Sequence, residues 1–351
     1  MRPFFSIIMP CCDVEPYIRE AMDSVIKQSF GDWECICVIE ESKDRTDEIL
    51  REIAVSEPRI RIFTHSRSGS CSVPRNIGFD MALGEYVILL DGDDTLVDGS
   101  LQRLYDKIVA RPGADLYPCA VQVWNEMTGK NENLRDNYPQ DFDRELTGTD
   151  AILFTYGLKL HPEPMMQLTI YRREFLLEHK LKCIPGLHGQ DREFSPRALY
   201  WAKRVIPLHE PFYLYRRRSG SVLTSTPLEK QLHHQSIIHK SLFAFHALVC
   251  KAPDFDKRLT VCWGRSWTSW MFYWWFSPER IKKISRTDRL KTLNEVFPDG
   301  FDDFNTLLNG ASFPRRFAGW WIRAFVRHQS LRYAAELFFR LYFFLSTERK
   351  V

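Results

Sequence analysis

The stretch Tyr86-Val87-Ile88-Leu89-Leu90-Asp91-Gly92-Asp93-Asp94 runs an apolar segment straight into three carboxylates. The apolar half reads as a buried strand, because a short unbroken run of branched aliphatics suits a sheet covered on both faces. Its acidic end is costly. Clustered carboxylates repel one another and lose hydration unless a cation compensates them. Oxygen ligands with an open face suit Mg2+ or Mn2+, which keep sites for phosphate oxygens. The plainer alternative is a set of Asx-turn or N-cap residues leading into a helix at Leu101.

Upstream of this strand lie three strand–helix steps. Phe4 to Met9 is a β-rich run closed by Pro10, and Pro16 to Gln28 carries Tyr17, Ile18, Ala21, Met22, Val25 and Ile26 at helical spacing. Trp33 to Ile39 is a second buried strand, followed by a helix that Asp44-x-Thr46 opens and that runs through Ala54. Arg59 to Thr64 is a third strand, and Val73 to Leu83 a helix with Pro74 in its first turn. This alternation predicts right-handed βαβ units and an α/β, Rossmann-like, mostly parallel sheet flanked by helices. Ligands of such sheets bind beyond the carboxyl ends of the strands. Cys12-Asp13-x-Glu15, Glu40-Glu41-Ser42, Ser66-Arg67-Ser68-Gly69 and Asp91 to Asp94 each follow a strand, so one crevice should collect them.

Downstream, Leu101 to Ala110 is a helix, Leu116 to Trp124 a strand, and Met127 to Thr149 a polar, irregular loop. From about Ser225 the pattern is wholly helical and aromatic. The expected division is a catalytic domain over 1–225 and a helical, aromatic and basic region over 226–351.

The 351 residues, 44% hydrophobic and 26% charged, are ordinary for a folded protein of two units. A net charge of +3 argues against a nucleic-acid partner. The nine cysteines include no CxxC pair, which argues against zinc, and Cys35 and Cys37 read as small buried residues in a reducing, cytoplasmic setting. No apolar run is long enough to span a membrane. Charge is uneven, however. From Ser312 onward eight Lys/Arg face only Glu336 and Glu348, a surplus of six that leaves about −3 elsewhere.

The motifs together resemble family 2 glycosyltransferases of the GT-A fold. Ser6-Ile7-Ile8-Met9-Pro10 is similar to their opening strand, Asp13-x-Glu15-x-Tyr17-Ile18 to the segment that follows, and Ser24-Val25-Ile26-Lys27-Gln28-Ser29 to their first helix end. Arg75-Asn76-x-Gly78, Ala82-x-Gly84-Glu85-Tyr86, Leu90 to Asp94, Gly189-Gln190-Asp191-x-x-Phe194 and Tyr213-x-Tyr215-Arg216-Arg217-Arg218 continue the match in order. The resemblance implies an inverting transferase using a nucleotide-diphosphate sugar, a UDP-sugar being the expected donor, with Mn2+ or Mg2+. It also implies roles. Pro10, Asp13, Glu15 and Glu40 would line the nucleotide base and ribose, Arg75 and Asn76 the base and diphosphate, and Asp91 with Gly92 the ribose or sugar. Asp93 would hold the metal, Arg217 or a neighbour the diphosphate, and Asp191 would be the general base. Four positions depart from the pattern. Glu40 replaces a base-reading Asp, Cys12 an aromatic, Gln190 an acid and Pro74 an Ala.

The implied chemistry is self-consistent. A cation stabilises a departing diphosphate, and one carboxylate opposite it suits a single displacement with inversion. The plainer alternative for Asp191 is a helix N-cap before Arg192 to Tyr200, and the neighbouring motif favours the base. Arg216-Arg217-Arg218 reads as a phosphate grip or as a solvated charge run. His188 is placed beside the acceptor pocket. The tryptophans between Trp263 and Trp275 read mainly as helix packing, whereas 313–345, with Phe317, Trp321 and Phe325 opposite Arg316, Arg323 and Arg327, reads as a helix for the inner face of a membrane. The expected acceptor is a surface polysaccharide or a lipid-linked glycan; oligomeric state is left open. Two other functions compete. A sugar nucleotidyltransferase needs a glycine-rich basic loop after the first strand, where Cys11-Cys12-Asp13-Val14-Glu15 is acidic. A non-catalytic nucleotide-sugar-binding protein would have no need of Asp93 and Asp191.

Overall fold

The structure, a computed structural model, describes residues 2–136, 138, 142–158, 165–219, 226–276 and 282–296. The region 313–345, read above as a membrane-surface helix, lies outside them. In chain order the elements of the first half are β1 (Phe5–Cys11), α1 (Glu15–Ile26), β2 (Trp33–Glu40), α2 (Thr46–Ser56), β3 (Ile60–His65), α3 (Ser72–Met81), β4 (Tyr86–Leu89), β5 (Thr95–Leu96) and α4 (Ser100–Ala110). There follow β6 (Leu116–Pro118), β7 (Ala120–Asn125), β8 (Lys130–Arg135), α5 (Gly148–Leu158), β9 (Thr169–Arg172), α6 (Arg173–Glu178), α7 (Asp191–Trp201) and β10 (Pro211–Arg217). The last described helices are α8 (Leu228–Val249), α9 (Lys257–Phe276) and α10 (Arg286–Val296).

The chain forms two compact units, Met1–Ala151 with Pro164–Thr224, and Ile152–Glu163 with Ser225–Val351. The first unit is built on a six-stranded sheet in the order β3-β2-β1-β4-β9-β6. The four strands read from their apolar runs pair in parallel, with Ile7 opposite both Cys35 and Ile88. Every residue of β1 and β2 is buried, as strands covered on both faces require. On one side α1 buries Ile18, Ala21, Met22 and Val25. On the other, α3 comes so close to β1 that a Cβ on Gly78 would lie 2.2 Å from Ile8 Cγ2. Beyond β4 the sheet turns antiparallel through β9.

A second, four-stranded sheet has the order β5-β10-β7-β8, and only its β7 falls in a segment that the sequence marks as a strand. The segment Leu116 to Trp124, expected as one strand, is two. β6 belongs to the first sheet and β7 to the second, and they part at Cys119. Pro118 has no N–H for a ladder, so the chain can change partners there. β8 also corrects the reading of Met127 to Thr149 as irregular. Its sequence, Lys-Asn-Glu-Asn-Leu-Arg, lacks an apolar alternation, and pairing with β7 defines it. The hairpin turns at Gly129, whose φ of +63° suits glycine.

In the second unit α8, α9 and α10 bury Trp263, Trp267, Trp274 and Trp275, which makes those rings core. Trp275 Nε1 donates to Thr292 Oγ1 at 3.0 Å. Among the described residues no helix is long and apolar enough to cross a membrane.

Candidate functional site

At the carboxyl ends of β1, β2 and β3 the loops are stitched together by side chains. Asp13, with φ +52°, accepts from the Lys43 N–H at 2.7 Å and from Arg67 Nη2 at 2.5 Å. Those contacts, the Lys43 N–H first, hold its carboxyl below the usual range. The Glu15 N–H donates to Asp44 Oδ2 at 2.9 Å, and Glu15 Oε2 accepts from the Arg45 N–H at 3.0 Å. Glu40 is buried, and its Oε1 accepts from both the N–H (2.7 Å) and the hydroxyl of Ser68. Pro10 lies on β1 where a Cβ on Gly92 would come within 3.4 Å of its carbonyl oxygen. Gly92 thus lets the acidic turn close against the β1 end.

The three acids after β4 diverge rather than converge. Asp91 Oδ1 accepts from Arg75 Nη2 at 2.7 Å, and its Oδ2 accepts from Gln167 Nε2 at 2.7 Å. Asp94 is buried, accepting from the Tyr213 hydroxyl at 2.5 Å and the Arg216 N–H at 2.7 Å. Burial, then the Asp93 and Asp91 charges, push its carboxyl well up, so Asp94 is a structural acid. Asp93 stays part-exposed and takes Arg218 Nε and Nη2 on Oδ2 at 2.9 and 2.8 Å. Burial and Asp91 raise its carboxyl, while Arg218 opposes them.

Strand alternation decides which arginine reaches the acids. Arg216 and Arg218 lie over the Tyr17 ring, at 5.2 and 4.9 Å, while Arg217 turns to the opposite side and pairs with Glu132 on β8 at 2.7 Å. Of the two, Arg218 is therefore the arginine that reaches the acidic turn, and Arg217 is not. Asn76 is likewise spent elsewhere. Its amide exchanges two 2.8 Å hydrogen bonds with the backbone of Cys183.

Asp191 is the first residue of α7, and Gln190, not Asp191, occupies the cap position. Its carboxyl accepts from the Met166 N–H at 3.2 Å and lies 3.9 Å from Arg75 Nη1. Burial raises it, while Arg75 and the Met166 N–H pull the other way. Arg75, itself buried, therefore stands between Asp91 and Asp191. His188 Nε2 hydrogen-bonds the Gly69 carbonyl at 2.6 Å, and Gln190 Nε2 donates to Cys71 Sγ, which ties the segment before Asp191 to the start of α3.

Gln167 and the Tyr213 hydroxyl carry no functional signal in the sequence, whereas Arg67 falls in a strand-end polar cluster and Arg218 in the arginine run. The period of two along β10 then separates Arg218 from Arg217. Among the described residues no group of three His, Cys, Asp or Glu side chains is arranged to hold a metal ion. Asp91 and Asp93 each pair with an arginine, Asp91 with the buried Arg75 and Asp93 with the part-exposed Arg218.

Comparison with known proteins agrees with this geometry. The sequence model of "Glycosyl transferase family 2" matches residues 6–177. The "Uncharacterized glycosyltransferase EpsJ" of Bacillus subtilis is 31% identical over 75% of this chain and 76% of its own length. "Glycosyltransferase GlyG" of Streptococcus pneumoniae is 24% identical over 64% of this chain and 74% of its own. Among solved structures, S. aureus TarS 1–349 in complex with UDP-GlcNAc superposes with a TM-score of 0.68 at 19% identity, covering 97% of this chain and 89% of that one. The architecture is the GT-A arrangement expected from the motifs. On these grounds the chain belongs to glycosyl transferase family 2.

Proposed function

We propose that the protein is an inverting glycosyltransferase that moves a sugar from a nucleotide-diphosphate donor, a UDP-sugar, to a hydroxyl of a surface polysaccharide or lipid-linked glycan. The observation that carries this reading is the row Asp93–Arg218, Asp91–Arg75, Asp191. That order supports a phosphate-binding end at Asp93, a sugar-binding middle at Asp91 and a base at Asp191. Asp91, oriented by Arg75 and Gln167, is suited to accept from sugar or ribose hydroxyls. Asp191 takes the proton of the acceptor hydroxyl, whose oxygen bonds to the anomeric carbon as the bond to the diphosphate breaks. Arg218 is within reach of the departing charge. The residues also fit Mg2+ or Mn2+. Asp93, part-exposed beside Arg218, would hold the cation, and phosphate oxygens would complete the set. A cation bound there would act as a Lewis acid toward the leaving diphosphate. The basic, aromatic stretch 313–345 would bring the enzyme to the inner face of the membrane, where a lipid-linked acceptor resides.

Asp191→Asn tests the assignment. It should keep nucleotide and Mn2+ affinity, measured by calorimetry, yet lose about 10²–10⁴-fold in transfer. Near-normal turnover in that variant would remove Asp191 from the mechanism.

A further inference from the structure

The sheet order places the crevice between the ends of β1 and β4, where strand order reverses. Gln167 and Asp191 occupy the β9 side of Asp91, and on the proposed reading that side holds the sugar and acceptor. The nucleoside then extends the other way, over the ends of β1, β2 and β3. Asp13, Glu40 and Arg67 tie these ends together, Asp13 through both carboxylate oxygens and Glu40 through Oε1. Both Asp13 oxygens accept hydrogen bonds, from the Lys43 N–H and from Arg67. Glu40, buried, closes on Ser68.

Arg67 differs from both. It is 41% exposed, with Nη2 on Asp13 and Nη1 only 3.5 Å from the Glu41 carbonyl oxygen. A guanidinium has five N–H donors in a fixed plane, so donors remain to spare, and Asp13 holds that plane at the end of the crevice. We infer that Arg67 selects the base of the donor nucleotide by donating to a carbonyl oxygen on its edge. Uracil O4 and guanine O6 accept such a bond. Cytosine and adenine carry an amino group at the matching place, so donor would meet donor. Glu40 acts here as the internal strut that sets the loop Ser66–Ser70, which carries Arg67.

This inference rests on the nucleotide-diphosphate reading. The test is calorimetric titration of the full chain with UDP, GDP, CDP and ADP in the presence of Mn2+, on the parent protein and on Arg67→Met and Arg67→Lys. UDP or GDP should bind roughly tenfold or more tightly than both CDP and ADP, the size of a good base-edge contact. Arg67→Met should bring the four within about threefold of one another, leaving one ordinary hydrogen bond or less of preference. Arg67→Lys, which keeps a donor and the charge, should retain part of the preference and guards against a folding defect in the methionine variant. An unchanged preference in Arg67→Met, or a parent protein that takes CDP or ADP as tightly as UDP and GDP, would overturn the inference alone. Absence of binding by all four would overturn the donor reading and the inference with it.

Discussion

Arg218 gives Asp93 the positive charge that a buried-leaning carboxylate needs. Its charge, held on Asp93 Oδ2, repels a second cation at the same carboxylate. Arg218→Gln should therefore bind Mn2+ more tightly in the absence of nucleotide, by about two- to fivefold if the pair is worth what part-exposed ion pairs usually are. Calorimetry without nucleotide reads this directly, and an unchanged or weaker affinity would show that Arg218 does not guard the metal position. Asp191 supplies a second prediction. Burial raises its carboxyl, and a base works only when deprotonated. Transfer should thus be lost as pH falls through a value above the ordinary Asp figure of about 3.9. The acid limb of the kcat/KM profile measures it, and a limb at or below that figure would remove burial as the governing influence.

At the scale of elements, α3 is fixed to β1 by an absent side chain. A methyl on Gly78 would overlap Ile8, which is itself buried in the central strand and has no room to withdraw. Gly78→Ala should cost about 1–3 kcal/mol in urea unfolding. It should also lower donor affinity, because α3 carries Arg75. The sequence made this half of the fold legible, since β1, β2 and β4 are buried on both faces and announce themselves as unbroken apolar runs. Outside β7 the second sheet lacked any such mark. β5 is two residues long, β8 is polar, and β10 pairs with partners about a hundred residues away. The acids of the site were legible for the same reason as β4, standing at the end of a plain strand. Their partners were not. Whether Arg217 or Arg218 meets Asp93 depends on the register of β10, and whether Asn76 faces a ligand depends on where Cys183 returns.

For the molecule as a whole, charge is the feature the described residues leave to the sequence. The surplus of six positive charges after Ser312 is expected to draw the protein to anionic lipid, at roughly 1 kcal/mol or less per charge. Flotation with phosphatidylserine vesicles at low and high salt checks this, and failure to float at either would remove the membrane from the proposal. The two sheets of the first unit bear on a different matter. The ties that complete the site join residues far apart in sequence, 125 positions for Asp93 with Arg218, 122 for Asp94 with Arg216, 76 for Asp91 with Gln167. Loops of that length close late, after local βαβ contacts have formed. The crevice is thus among the last parts of the chain to assemble in time. A bound nucleotide would then slow unfolding while leaving the rate of refolding almost untouched.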